Sequence, residues 1–470
     1  MKNKYVILST LMIGTLMGSL DSSIVNVSLP IIRKDFDCRM DQIQWVVTAY
    51  MLSFSLFMPL TSWLKDRIGF FNLYVGGLVV FTLASLLCGI SANLEILVAS
   101  RVLQAIGGGS LPPTAMAIMS TVFPKEERGK AIGWWGMGSV VGPTIGPTLG
   151  GFLTREFGWH SIFLINLPIS VVAIGMCFYS LGFLRQVPKK YLKFDFKGFA
   201  SLTVFLLLLQ LVLVRLENVG LFSIEIIGLF VILVASFIYF IKVEKRAESP
   251  IINLRLFKNT RFVSCILVTI ARSAALFGGL FLAPFLLQGL LRYNELQSGL
   301  ILFPGALVMG LLMPISGTLA DKYGSRGLTI SGLLILAIST FQFSTLGIGS
   351  VLTSILIAVC LRGLGLGLLI SPISSATVNS VKLEQVAMAS SINSLLLQVG
   401  GSLGIAMLTF THQNVYNNKI ALGFSTMEAE QFALHRGFTV SLILILLALI
   451  PASKIPSKNI VTAKKEQNNI

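Results

Sequence analysis

Three polar side chains interrupt long apolar stretches of the sequence, where a titratable group can carry a proton. Asp21 lies in the first apolar run, and Arg101 and Gln104 lie about one turn apart in the fourth. A carboxyl group that is removed from water keeps its charge only at a cost, so it can take up and release a proton near neutral pH. An arginine cannot discharge that cost by losing its proton and needs an acceptor. The sequence therefore predicts a proton-coupling pair of Asp21 and Arg101.

Each member of this pair also has a structural alternative. Asp21 can be a helix-end aspartate that the outer lipid headgroups hydrate. Arg101 can lie nearer the outer surface, with its guanidinium group reaching water. Gln104 either hydrogen-bonds a substrate or only satisfies the pair. The residue types alone leave these alternatives open.

The chain as a whole is far more apolar than a soluble protein. Of its 470 residues, 54% are hydrophobic and 12% are charged, whereas soluble domains are about 25% charged. Apolar runs of roughly 20 residues, each able to cross a ~30 Å hydrocarbon layer, recur along the sequence. This composition predicts an all-α polytopic membrane protein with the lipid bilayer as its surroundings.

Fourteen apolar runs predict fourteen transmembrane helices, including a second at Gln44–Leu64 and a fifth at Ala131–Leu153. We interpret them as two six-helix bundles with a two-helix insertion. The predicted division is an N-terminal bundle at 1–185, basic connectors with the inserted hairpin at 186–258, a C-terminal bundle at 259–455 and a cytoplasmic tail at 456–470.

The formal net charge of +16 would suggest nucleic acid as a partner if the chain were soluble. Here Lys and Arg fall mostly in alternate loops, so the charge predicts topology instead, with both termini in the cytoplasm. The five cysteines and three histidines are scattered and show no metal-ligand spacing. We therefore expect no metal, no cofactor, no nucleic-acid partner and no enzyme activity.

An internal repeat relates the two predicted bundles at a nearly constant offset. The clearest match is a motif with an acidic residue at a cytoplasmic helix end, which we call the gating motif. This residue can pair with a basic loop or a helix N-terminus and hold the inner side of the protein closed. The alternative for this gating motif is charge that only sets topology. The matches are Asp66, Arg67 and Gly69 with Asp321, Lys322 and Gly324; Arg101 with Arg362; and Gly138 and Gly142 with Gly400 and Gly404.

A glycine- and proline-rich stretch at 138–151 lies inside the fifth apolar run. Its prolines should bend the helix, because each removes a backbone hydrogen bond. Its glycines recur every four residues and form a bare ridge against which another helix can pack closely. We expect that helix to come from the other half, although ordinary tight packing is the alternative. The stretch contains Gly138, Gly142, Pro143, Gly146, Pro147, Gly150 and Gly151.

These motifs together resemble the Major Facilitator Superfamily, and within it the fourteen-span drug:proton antiporter branch with its multidrug efflux, MdtD-like members. The resemblance rests on residues 20–30, the gating motif, residues 101–109, the glycine-proline stretch and residues 159–168. The first gating motif departs from the pattern at Ser62, Phe70 and Phe71. The resemblance implies a secondary active exporter that exchanges protons for small amphiphilic compounds by alternating access, in the inner (cytoplasmic) membrane of a bacterium. It leaves a periplasmic partner open and is compatible with a monomer.

Arg272 and Arg362 lie in apolar runs of the second half and bear on the charge of the substrate. Apart from Asp321, these apolar runs contain no acidic residue. This favours neutral or anionic compounds over cationic drugs. The alternative for Arg272 is pairing with backbone carbonyls. A competing function is export of an endogenous anionic metabolite, such as an organic acid or an iron-chelating carboxylate, and another is a non-transporting membrane sensor or scaffold. The candidate substrate-binding residues are Asn26, Gln104, Arg272, Gln288, Arg362, Asn393 and Gln398.

Overall fold

The computed structural model describes residues 4–38, 40–43, 45–186, 194–219 and 223–457, and every regular element in these ranges is a helix. A π-helical turn, Phe285–Leu290, follows the helix that ends at Pro284. The helices are α1 (Lys4–Asp35), α2 (Met40–Ile43), α3 (Trp45–Phe57), α4 (Leu60–Gly89), α5 (Leu94–Val122), α6 (Arg128–Phe157), α7 (Ser161–Leu164), α8 (Asn166–Ser180), α9 (Phe196–Val219), α10 (Ile224–Arg246), α11 (Thr260–Pro284), α12 (Glu295–Tyr323), α13 (Ser325–Phe343), α14 (Leu352–Asn379), α15 (Val386–Ala421), α16 (Thr426–Leu447) and α17 (Leu449–Ala452).

The predicted all-α membrane architecture is confirmed, but the predicted number of spans is not. In the described ranges, 12 helices are long and apolar enough to cross a membrane. The prediction of fourteen spans is therefore corrected to twelve. The two predicted spans that fail are the second and the fifth, and they fail for different reasons.

The second predicted span, Gln44–Leu64, does not form one helix. α3 ends at Phe57, well inside the predicted span. A turn at 58–59 separates it from α4. Pro59 in that turn has no N–H to donate to a continuing helix. The apolar run is thus continuous in sequence but interrupted in structure.

At the fifth predicted span, Ala131–Leu153, α6 is continuous and has 30 residues. It is not among the twelve candidates. Glycine, proline and threonine occupy many places where large aliphatic side chains would stand, which lowers its hydropathy. The side chains of Pro143 and Pro147 lie outside the described residues, so the predicted bend stays a prediction.

The chain forms two compact units. The first comprises Met1–Asp195 with Lys382–Leu395, and the second comprises Phe196–Val381 with Leu396–Ile470. In the second unit, α9 and α10 pack on each other as the expected hairpin, and Gln210 Nε2 on α9 donates to Ser402 Oγ on α15 at 3.1 Å. The predicted domain boundaries stay a prediction.

Each unit has its own apolar core. In the first unit, Ile24 and Val25 of α1 pack with Phe163 of α7. In the second unit, one cluster joins α11, α13, α14 and α16 around Leu366 and Leu369. These cores fix the helices that carry the buried polar residues described next.

Candidate functional site

A buried polar cluster in the first unit is built around the carboxylate of Asp21 on α1. Arg101 Nη1 on α5 donates to Asp21 Oδ2 at 2.6 Å, and the two side chains are 1% and 0% exposed. Neither charge is hydrated, so each depends on the other for compensation. The structure thus brings together the two residues whose pairing the sequence suggested and buries both side chains within the protein.

Two amide groups complete the surroundings of the Asp21 carboxylate. Gln104 Nε2 and Asn166 Nδ2 each donate to Asp21 Oδ1 at 2.9 Å. Gln104 Nε2 also lies 2.7 Å from Ser85 Oγ on α4. With Arg101, these donors come from α5 and α8, so the carboxylate holds three helices together.

Arg101 keeps contacts that do not involve Asp21. Its Nη1 donates to Gln104 Oε1 at 2.5 Å, and its Nε donates to the Val46 carbonyl oxygen at 3.2 Å. The guanidinium carbon lies 3.9 Å from the centroid of the Tyr50 ring, a cation–π distance. Arg101 therefore has acceptors on α3 and α5 that remain if Asp21 becomes neutral.

The local sequence explains how these side chains meet. Arg101 and Gln104 are three residues apart on α5, so they share one helix face. Glycines just after them allow close approach of neighbouring helices: a Cβ built at Gly107 would lie 2.5 Å from the Phe81 nitrogen, and one at Gly109 would lie 2.7 Å from the Phe54 carbonyl oxygen. Asn166 is the first residue of α8, after the short helix α7. The glycines thus bring α5 against α3 and α4 at the level of the polar cluster.

Sequence reasoning missed part of this cluster. Asn166 belongs to the 159–168 run that carried the family resemblance, and that run was the available signal for it. Ser85 gave no signal, because a single serine in an apolar helix usually bonds its own backbone. Tyr50 and the Val46 carbonyl also gave none, because only the fold places α3 beside Arg101.

The glycine ridge of α6 packs against α1, which corrects the expectation that it contacts a helix of the other half. Built Cβ atoms at Gly142 and Gly146 would lie 2.6 Å from the Leu20 nitrogen and from Ser23 Oγ, respectively. Ser19 Oγ also donates to the Gly138 carbonyl oxygen at 3.0 Å. The small serines of α1 and the glycines of α6 are complementary, so the two helices pack closely within one unit. Gly151 differs, because its Cβ would meet nothing within 4 Å.

The second unit repeats this packing at the matching glycines. A Cβ built at Gly400 on α15 would lie 2.8 Å from the Ile270 carbonyl oxygen, and one at Gly404 would lie 2.5 Å from that of Ala274. Both contacts are with α11. The glycine echo found in the sequence therefore corresponds to the same kind of helix pair in both units.

The two gating motifs share a backbone conformation. Gly69 interrupts α4 with φ of 80° and ψ of 164°, and Gly324 separates α12 from α13 with φ of 88° and ψ of 161°. Such angles are essentially confined to glycine. In the first motif Asp66 Oδ1 lies 2.6 Å from Lys65 Nζ, and Arg67 lies over the Trp63 ring. The gating roles of Asp66, Arg67, Asp321 and Lys322 stay predictions.

The candidate substrate residues of the second half lie on three helical segments. Arg272 on α11 is 3% exposed, whereas Arg362 on α14 is half-buried. Arg362 Nη2 donates to the carbonyl oxygens of Ala275 and Leu276 at 3.3 and 2.7 Å. Backbone carbonyls therefore hold Arg362. Among the described residues, no such bond is found for Arg272, for which one alternative supposed it.

The remaining substrate candidates are placed as follows. Gln288 is exposed in the π-helical turn after α11, and on α15 Asn393 is buried and Gln398 is half-buried. The side chain of Asn26 on α1 lies outside the described residues. The structure does not test a substrate role for any of them. Within the described ranges, no three His, Cys, Asp or Glu side chains form a group suited to a metal ion.

Comparison with known proteins identifies relatives of the whole chain. Residues 11–405 match the Major Facilitator Superfamily. The riboflavin transporter RibZ of Clostridioides difficile is 34% identical over 430 residues, 89% of this chain and 91% of that protein. The multidrug transporter protein MdtP of Bacillus subtilis is 31% identical over 411 residues, 86% of this chain and 74% of that protein.

A solved structure shows the same fold. The crystal structure of the human organic anion transporter MFSD10 superposes with a TM-score of 0.67 at 16% sequence identity, covering 96% of this chain and 100% of that chain. At this identity the similarity shows a shared architecture, and the chemistry has to be argued from the residues of the present chain.

Proposed function

The chain belongs to the Major Facilitator Superfamily, and from this we propose that it is a secondary active exporter that exchanges protons for small amphiphilic compounds. Family and fold are those of membrane transporters, not of enzymes. In such transporters two bundles alternately expose a central site to the two sides of the membrane. The observation that carries the proton coupling is the buried Asp21 carboxylate with its ring of donors.

Protonation of Asp21 would change the forces on α1. A neutral carboxyl group no longer compensates the charge of Arg101 2.6 Å away, so the strongest link between α1 and α5 weakens. Arg101 retains Gln104 Oε1, the Val46 carbonyl and the Tyr50 ring. These neutral acceptors compensate part of the charge of Arg101 after Asp21 is neutralised, while α1 loses its ionic link to α5.

The close packing of α1 on α6 couples the movement of these two helices. α1 and α6 meet at the glycine ridge with almost no side chain between them, so displacing one displaces the other. Proton uptake at Asp21 would thus partly release the α1–α6 pair from α5, where Arg101 loses its ionic partner. We propose that this release accompanies the switch between outward-facing and inward-facing states, with the motifs at Asp66 and Asp321 acting as inner gates.

The relatives support export of varied compounds, and one of them is also compatible with a second function, export of an endogenous metabolite. MdtP is named a multidrug transporter, which supports placing the chain in the drug:proton antiporter branch. We propose a bacterial cytoplasmic membrane with both termini inside, because the basic residues fall in alternate loops. RibZ is named a riboflavin transporter, which is compatible with export of an endogenous metabolite instead. The buried Arg272 favours an anionic compound in that case.

The coupling proposal is tested with purified protein in liposomes under an imposed pH gradient. Asp21→Asn keeps the size and polarity of the side chain but cannot carry the proton, so we expect it to abolish gradient-driven transport. Asp35→Asn is the matched control, since Asp35 is an exposed aspartate on the same helix and asparagine can still accept its hydrogen bond from Trp159. It should transport like the wild-type protein. Full gradient-driven transport by Asp21→Asn would contradict the coupling role.

A further inference from the structure

Arg101 in the first unit and Arg272 in the second are both buried but have opposite surroundings. Arg101 is 1% exposed and is matched by Asp21, Gln104 and the Val46 carbonyl. Arg272 is 3% exposed, yet its Nε has no hydrogen-bond partner, and no carboxylate of the described residues lies within ion-pairing distance. A buried charge without compensation costs several kcal/mol. Among the residues that the structure describes, the charge of Arg272 therefore has no matching carboxylate.

Apolar side chains flank Arg272 along its helix, together with the buried hydroxyl groups of Thr269 and Ser273. Val268 and Ala275, four residues before it and three after, share its helix face. Both belong to the apolar cluster that includes Leu366 and Leu369 of α14. In such surroundings an opposite charge on a bound molecule would interact strongly, because water screens it little.

A second guanidinium group reaches the same stretch of α11. Arg362 lies one turn before Leu366 on α14 and donates to the Ala275 carbonyl oxygen, one turn from Arg272 along α11. Gly279 makes this approach possible, since a Cβ there would lie 2.6 Å from Arg362 Nη2. Because Arg362 already has carbonyl acceptors, Arg272 is the donor left for a ligand. Two neighbouring cations also make this stretch favourable for an anion.

We infer that Arg272 binds the anionic oxygen group, carboxylate or phosphate, of a transported compound. The inference rests on the transport function proposed above and names the substrate class of the second unit. A guanidinium fork binds both oxygens of such a group at once. The compound therefore carries a negative group at one end and an apolar body that suits the surrounding cluster.

The test is equilibrium binding without any gradient, which keeps it independent of proton coupling. Protein in phosphatidylcholine nanodiscs is titrated calorimetrically with 2-naphthoate and with uncharged 2-naphthamide at neutral pH. We expect the wild-type protein to prefer naphthoate and Arg272→Gln to bind naphthoate about 10- to 100-fold more weakly. Naphthamide binding should be the same in both. Arg272→Lys should recover part of the affinity, because it restores the charge without the fork.

The matched control is Arg261→Gln, which removes an exposed arginine from the same helix and should leave naphthoate binding unchanged. A second readout is thermal unfolding without ligand. Arg272→Gln removes a buried charge that no carboxylate of the described residues matches, so its melting temperature should equal or exceed that of the wild-type protein. A structural role for Arg272 would instead lower it.

A lipid phosphate has the same chemistry as a soluble anion, and added phosphatidylglycerol distinguishes the two sources. If it leaves naphthoate binding unchanged, the site takes soluble anions; if it competes only when Arg272 is present, the site also takes lipid phosphate. Equal affinity of the wild-type protein for naphthoate and naphthamide, no naphthoate binding at all, or wild-type naphthoate binding by Arg272→Gln would overturn the proposal. Loss of transport in Asp21→Asn with anion binding intact would separate the two proposals.

Discussion

At the residue scale, one carboxylate organises the first unit. Asp21 accepts hydrogen bonds from Arg101, Gln104 and Asn166, and Gln104 also accepts one from Arg101. This closed arrangement fixes the orientation of the Gln104 amide group, since its oxygen must face Arg101 and its nitrogen must face Asp21. The cluster is therefore a network in which the effect of one residue depends on the others.

A double-mutant cycle tests that network. Arg101→Gln leaves the Asp21 carboxylate buried without its cation, so we expect a loss of stability of about 3–5 kcal/mol. Combining it with Asp21→Asn removes both charges and should recover most of that loss. Chemical unfolding in detergent measures the three variants against the wild-type protein. A double variant as unstable as the sum of the two single variants would show that the residues do not interact.

At the element scale, the fit between α1 and α6 is a contact between backbones. The glycines of α6 lie on the serines of α1, so an added methyl group has nowhere to go. Gly151, on the same helix, has open space beside it. α6 thus contains a crowded glycine, Gly142, and an uncrowded one, Gly151, which can serve as the control for it.

Replacing these two glycines with alanine should have opposite effects. Gly142→Ala places a Cβ 2.6 Å from the Leu20 nitrogen, and the overpacking should cost about 1–3 kcal/mol. Gly151→Ala meets no neighbour and should gain up to about 1 kcal/mol from higher helix propensity. Thermal unfolding of the purified variants measures the difference. Similar melting temperatures for the two would mean that the ridge is not tightly packed.

The helices also show which parts of the fold and of the polar cluster could be predicted from the sequence. The apolar runs placed most helices, because burial in lipid depends on local composition. They failed at Gln44–Leu64, where one turn at Pro59 divides the run, and at α6, whose glycines serve packing at the expense of hydropathy. Asp21 and Arg101 could be paired because isolated charges need partners. Ser85 and Tyr50 could not be found, since their roles depend on which helices become neighbours.

At the scale of the whole molecule, the duplication is visible in backbone conformation. Gly69 and Gly324 occupy equivalent motifs and have nearly the same φ and ψ angles. The closely packed helix pairs, α1 with α6 and α11 with α15, are also equivalent. The buried charges are not: the first unit compensates Arg101, whereas in the second no carboxylate of the described residues matches Arg272. The halves therefore share a scaffold and differ in chemistry.

The shared turns give a prediction for the molecule as a whole. Gly69→Ala and Gly324→Ala should each cost about 1–3 kcal/mol, because alanine is strained at these angles. The two sites lie in different units, so the costs should add in the double variant. Gly76→Ala is the control within α4, since no neighbour lies within 4 Å and its φ is ordinary. A cost for Gly76→Ala equal to that for Gly69→Ala, measured by unfolding, would contradict the strain argument.

The glycine ridge of α6 also limits how this protein can diverge. At Gly138, Gly142, Gly146 and Gly150 every substitution adds atoms to a contact that has no room for them. Sequence drift can therefore only push α1 and α6 apart and can never tighten their fit. We therefore expect the ridge glycines to stay fixed among descendants of this chain.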